Sequence, residues 1–140
     1  MPDVFSPEKR RAVMQAIRGK DTKPELIVRR LVFALGFRYR LNDPSLPGKP
    51  DLVFKGRKKV IFVHGCYWHR HTCRRGRSTP TTQRSFWQAK FQANRIRDRK
   101  IARELRSLGW SFLIVWECET KPTRASTLSS RLNRFLSSAQ

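Results

Sequence analysis

The chain has 140 residues, with 31 Lys or Arg against 10 Asp or Glu, a formal net charge of +21. Hydrophobic residues make up 39% and charged residues 29%, which fits one domain with a real core and excludes a disordered tail. No apolar run approaches the ~20 residues of a membrane helix, and so large a basic excess points to a polyanionic partner, most simply nucleic acid.

The expected elements run as follows. Residues 7–18 read as a short basic helix, with Val13, Met14 and Ile17 apolar. Thr22-Lys23-Pro24-Glu25 reads as a capping box in which Thr22 caps and Glu25 reaches back. The helix behind it carries Leu26, Ile27, Leu31, Val32 and Leu35, and Gly36 stops it. Phe37-Arg38-Tyr39-Arg40-Leu41 alternates as a half-buried strand. A Pro/Gly loop over 42–50 leads to strands at 51–54 and 60–64, joined by the basic turn 55–59. Together they suggest an antiparallel meander.

Residues 65–83 show little regular pattern. A long helix over 85–108 follows, with the apolar stripe Phe86, Ala89, Ala93, Ile96, Ile101, Leu105 and Leu108, and Gly109 ends it. Lys90, Asn94 and Asp98 line a stripe beside that face. A buried strand over 110–116 and an amphipathic helix with Leu128, Leu132, Phe135 and Leu136 complete the chain. The expected order is α-α-β-β-β-α-β-α, one α/β domain over 1–140 with a mixed sheet. It has a basic N-terminal segment over 1–20 and a C-terminal helical segment over 121–140.

Five of the six Cys and His residues fall in His64-Gly65-Cys66-Tyr67-Trp68-His69-Arg70-His71-Thr72-Cys73; the sixth is Cys118. Three thiolates (Cys66, Cys73, Cys118) and one imidazole can close a structural Zn²⁺ site, and spacing alone does not choose between His69 and His71. Pro50-Asp51 opens a strand where a carboxylate can hold Mg²⁺ against a phosphate. His64 ends the next strand, where an imidazole can move a proton, and Glu25 or Asp98 can orient a histidine. Tyr67-Trp68, and Met14 on the first helix, are candidate wedges for a base step. The runs Lys9-Arg10-Arg11, Arg29-Arg30, Arg57-Lys58-Lys59, Arg74-Arg75-Gly76-Arg77 and 95–100 lack balancing acids and read as phosphate contacts. The odd cysteine count, and the absence of a signal-peptide core in Met1-Pro2-Asp3-Val4-Phe5, suggest a reduced, cytoplasmic protein associated with the nucleoid.

Several strings together resemble the very short patch repair endonucleases over about 14–118. They are Thr22-Lys23-Pro24-Glu25, Leu46-Pro47-Gly48-Lys49-Pro50-Asp51, the 63–73 string, Phe86-Trp87-Gln88-Ala89-Lys90, Asn94-Arg95-Ile96-Arg97-Asp98 and Val115-Trp116-Glu117-Cys118. The resemblance implies a restriction-endonuclease-like fold and Mg²⁺-dependent nicking 5′ to the T of a T:G mismatch left by 5-methylcytosine deamination. It implies Asp51 and the Val63 backbone carbonyl as Mg²⁺ ligands, and His64 and His69 as active-site histidines with Glu25 and Asp98 as partners. His69 is the expected general base. It further implies zinc on Cys66, His71, Cys73 and Cys118, a wedge of Met14, Tyr67 and Trp68, and Lys90 and Asn94 at the DNA. The partner is a mismatched duplex met by a monomer, with mismatch-repair proteins and a cognate cytosine-5 DNA methyltransferase system as associates and no membrane.

Two departures stand out. The strand after Asp51 reads Phe62-Val63-His64 where nucleases of this fold usually carry an acid and a lysine, and position 67 is Tyr where Phe is more familiar. Two other readings share many residues: a zinc-stabilised DNA-binding protein without catalysis, and a restriction-type enzyme cutting matched DNA. The Asp51, His64 and His69 set argues against the first, and the wedge and the His64 variant against the second.

Overall fold

Helix α1 (Lys23–Ala34) starts where Thr22 accepts the Glu25 N–H on its hydroxyl at 3.4 Å. The computed structural model describes residues 22–66 and 83–138. The expected helix over 7–18 lies outside them. The other half of the capping box is not formed: Glu25 is bonded instead to Arg29, one turn on. Gly36, at φ 93°, ends the helix, with Gly36 N–H donating to Phe33 and Phe37 N–H to Val32. A left-handed residue here lets two orphan carbonyls be satisfied at once. Gly109, at φ 82°, ends the second long helix in the same way.

The sheet is mixed, in the order β1 (Arg40–Leu41), β2 (Leu52–Phe54), β3 (Lys59–His64) and β4 (Ser111–Trp116). The first three strands form the expected antiparallel meander, and β4 joins β3 in parallel with Lys59 opposite Ser111 and His64 opposite Trp116. The parallel pair needs a crossover, which helix α2 (Arg84–Ser107) supplies. Strand β1 is shorter than the alternation of 37–41 suggests. Phe37 and Tyr39 pack on the core without pairing.

Alternation along the strands sends side chains to two layers. On one face Leu52, Ile61 and Val115 pack against Val28 and Val32 of α1 and Leu128 and Leu132 of α3 (Ala125–Ser137). On the other face Val53, Val60 and Phe62 meet Ile101 and Leu105 of α2. Each fully buried side chain of this size contributes about 1.5–3 kcal/mol. The inward stripe of α2 differs from the expected one. Phe91 and Leu105 are buried and Asn94, Asp98 and Ile101 half-buried, whereas Phe86, Ile96 and Leu108 are 52%, 57% and 54% exposed. The apolar pattern misleads because two polar residues occupy the inward stripe. Among the described residues, no helix is long and apolar enough to cross a membrane.

The basic turn before β3 is also used differently from expectation. Lys59 is buried, and its ammonium donates to the Phe135 and Ser138 carbonyls at 2.6 and 2.5 Å and to the Ser138 hydroxyl at 3.0 Å. Arg57 donates to the Leu136 carbonyl at 3.0 Å. Two cations therefore satisfy the C-terminal carbonyls of α3, where the helix dipole favours positive charge. Burial, and secondarily Arg57, hold the Lys59 ammonium below its ordinary pKa. Lys59→Met keeps the aliphatic stem and removes the donor. Urea unfolding should show a loss of about 1–3 kcal/mol, whereas wild-type stability would show that this cap is dispensable.

Candidate active site

Four elements end at one edge of the molecule. They are the N-terminus of α1, the start of β2, and the parallel C-terminal ends of β3 and β4. The β2–β3 register sets Leu52 opposite Ile61, so Asp51, one residue before the strand, faces the end of β3. There the Val63 N–H donates to Asp51 Oδ2 at 2.6 Å. This short, charge-assisted bond ties the carboxylate to the peptide next to His64.

Loss of solvent around Asp51 is the main cause that raises its pKa from 3.8 to about 7. The Val63 hydrogen bond lowers it, Glu25 raises it and Arg29 lowers it. Glu25 is 1% exposed, and Arg29 Nη2 donates to its Oε1 at 2.7 Å. The i,i+4 pair on the first turns of α1 thus brings a second carboxylate and a guanidinium to Asp51. Arg29 thus serves both carboxylates, as the hydrogen-bond partner of Glu25 and as a charge that eases ionisation of Asp51.

These donors fit a hard divalent cation. The Asp51 carboxylate and the Val63 carbonyl offer oxygen donors, and one or two carboxylates suffice for Mg²⁺ when phosphate and water complete its shell. Among the described residues, no three His, Cys, Asp or Glu side chains gather into a metal cage.

His64 lies on the sheet face that α2 covers, next to Phe62 at a ring separation of 5.8 Å and against Trp116 at 5.4 Å. Asp98 and Asn94 belong to the inward stripe of α2, in the same layer as His64. Lys90 is exposed, with its ammonium 5.6 Å from the centre of the Phe86 ring. Cys66 and Cys118 each lie two residues past the paired His64 and Trp116. Adjacent parallel strands therefore deliver two of the four expected zinc ligands to the same end of the sheet. Met14, Tyr67, Trp68, His69, His71 and Cys73 lie outside the described residues.

Sequence reasoning placed Asp51, Val63, His64 and Glu25 at the site, and the structure brings these four together. Arg29, expected among the phosphate contacts, instead bonds Glu25, and its spacing of four from that residue is the signal for this in the sequence. Trp116, part of the Val115–Cys118 string, stands against His64.

The model of the DNA mismatch endonuclease Vsr family matches residues 2–75. The type II nicking enzyme V.XorIIP of Xanthomonas oryzae pv. oryzae is 45% identical over 136 residues, covering 97% of this chain and 98% of that protein. The type II nicking enzyme V.NmeAIP of Neisseria meningitidis serogroup A is 43% identical over 136 residues, covering 97% and 95%. The DNA mismatch endonuclease Vsr of Escherichia coli is 39% identical over 139 residues, covering 97% and 88%. With a half-buried carboxylate clamped between two strand ends beside a histidine, and this similarity to nicking and mismatch endonucleases over 97% of its length, the chain belongs to the Vsr family of DNA endonucleases.

Proposed function

We propose that the chain nicks double-stranded DNA 5′ to the T of a T:G mismatch arising from 5-methylcytosine deamination, and so initiates very short patch repair. The observation that carries this reading is the Asp51 carboxylate held on the Val63 N–H beside His64. The likeness to a DNA mismatch endonuclease of Escherichia coli supports the mismatch, and the likeness to two nicking enzymes supports a nick.

A Mg²⁺ held by Asp51 and the Val63 carbonyl would polarise the scissile phosphodiester and neutralise charge on the leaving 3′ oxygen. The chain's own residues do the rest. His69 takes the proton of the attacking water as an imidazole neutral at working pH. His64 stands beside the Asp51–Val63 junction as the second active-site imidazole. Glu25 and Asp98 orient the imidazoles, with Glu25 itself held by Arg29. Cys66, His71, Cys73 and Cys118 would hold Zn²⁺, fixing the ends of the stretch that carries Tyr67, Trp68 and His69. Met14, Tyr67 and Trp68 act as wedges, and unstacking costs least at a mismatch. Lys90 and Asn94 of α2 contact the duplex. Mismatch-repair proteins and a cognate cytosine-5 methyltransferase system are the cooperating partners this reading implies.

The type II nicking names favour a second reading, in which the enzyme acts on matched DNA. One assay separates the readings: the protein and Mg²⁺ are incubated with a duplex carrying one T:G pair and with its matched control. A single nick 5′ to the T is expected. Cleavage of the control on both strands would support the restriction-type reading, and binding without cleavage a non-catalytic one.

Asp51 gives a second test through stability. Its folded-state pKa, about 7, lies above the unfolded 3.8, so the charged carboxylate costs stability. The cost is absent below about pH 3.8, grows between, and is complete above about 7. A rise of that size corresponds to at most about 4 kcal/mol. Asp51→Asn should abolish nicking yet raise the unfolding free energy at pH 8, with a gain that shrinks towards pH 4. Mg²⁺ should stabilise the wild type at pH 8 and not the variant. Nicking near the wild-type rate in Asp51→Asn would remove the metal role.

A further inference from the structure

A chain of contacts runs from His64 to the C-terminal helix. His64 and Trp116 are register partners at the ends of β3 and β4, and both lie on the α2 face. Their rings meet edge to face, with centroids 5.4 Å apart and planes at 77°. Phe62 adds a second ring, at 5.8 Å and 50°. The imidazole thus sits in an aromatic corner whose outer wall is Trp116.

That wall stands on the outermost described strand. Ser111 N–H donates to Lys58 on the β3 side, so alternation directs the polar backbone groups of 112, 114 and 116 to the outer edge. Side chains occupy them there. The Trp116 N–H donates to Glu119 Oε1 at 3.0 Å. Arg131 of α3 donates to the Ile114 carbonyl at 3.1 Å through Nη2. Its Nη1 spans both oxygens of Glu119, at 2.8 and 2.6 Å. Glu119 belongs to the 3-10 turn Glu117–Thr120, so turn, strand end and helix are tied at one point.

We propose that Trp116, anchored by Glu119 and Arg131, is a positioning residue that sets the plane of the His64 imidazole during nicking. This rests on His64 acting in the reaction as read above. The physical case is one of rotamer control. A histidine at a strand end has two soft side-chain torsions, and a rigid ring beside it removes alternatives that point the nitrogens elsewhere. Misplacing a reacting group by about 1 Å costs up to about 100-fold in rate. The competing role for the Glu119–Arg131 pair is to blunt a sheet edge, and that role alone would leave turnover unchanged.

The test uses the full chain and a T:G duplex with Mg²⁺. Single-turnover nicking, duplex affinity, zinc content and thermal midpoint are compared for Trp116→Leu, Trp116→Phe, Arg131→Gln and His64→Ala. Trp116→Leu should slow nicking by about 10-fold or more at an affinity within about twofold of wild type, with zinc retained. Trp116→Phe, which restores a ring, should recover to within about threefold, and Arg131→Gln should lose about 3- to 10-fold. Wild-type turnover in Trp116→Leu overturns the proposal. So does loss of rate and affinity together, loss of zinc with activity, or a folded Trp116→Phe as slow as the Leu variant. Should Trp116→Leu fail to fold, the Phe and Arg131→Gln variants decide the matter. His64→Ala at the wild-type rate would instead remove the reading of His64 itself, whereas a slow His64→Ala with normal Trp116→Leu sinks this inference alone.

Discussion

The bond from the Val63 N–H to the Asp51 carboxylate is the constraint around which the site is built. It joins the start of β2 to the end of β3 at the point where the antiparallel meander gives way to the parallel pair. A carboxylate placed there loses water, and its pKa rises accordingly. That penalty has a physical use. A desolvated carboxylate suits a cation, and the phosphate that a cation attracts belongs to the proposed substrate. The Glu25–Arg29 pair shapes the same corner while remaining nearly neutral as a unit.

The +21 charge divides into two populations. A few cations serve the fold: Lys59 and Arg57 cap α3, Arg29 holds Glu25, and Arg131 ties α3 to the end of β4. Many others, including Arg95, Arg97, Arg99, Lys100 and Arg103 along α2, are exposed. Under the proposed function those are the residues suited to phosphates, where they would set affinity and salt dependence and not sequence choice. On the same reading, selectivity falls to the small aromatic and polar groups at the sheet end.

Much of the fold was legible in the sequence because it rests on local signals. Gly36 and Gly109 mark helix ends where left-handed backbone is required, and the apolar run 60–63 marks the buried strand. Pro50-Asp51 and His64 marked the site because both fall at strand boundaries. Charge runs were less legible. Lys59 next to Lys58 looks like any basic turn until the topology places it under the C-terminus of α3, residues distant in sequence. The stripe of α2 was misread for a related reason: Asn94 and Asp98 turn inward, while Phe86 and Ile96 do not. In both cases the destination of a side chain depends on a partner that periodicity does not contain.

If the Asp51–Val63 junction seats the proposed Mg²⁺, titration of the free, isotopically labelled protein with Mg²⁺ at pH 8, followed on the backbone amide signals, will report it. Saturable shifts centred on Val63 and His64 are expected, and they should vanish in Asp51→Asn. Shifts centred elsewhere, or an unchanged titration in the variant, would place the cation at another site.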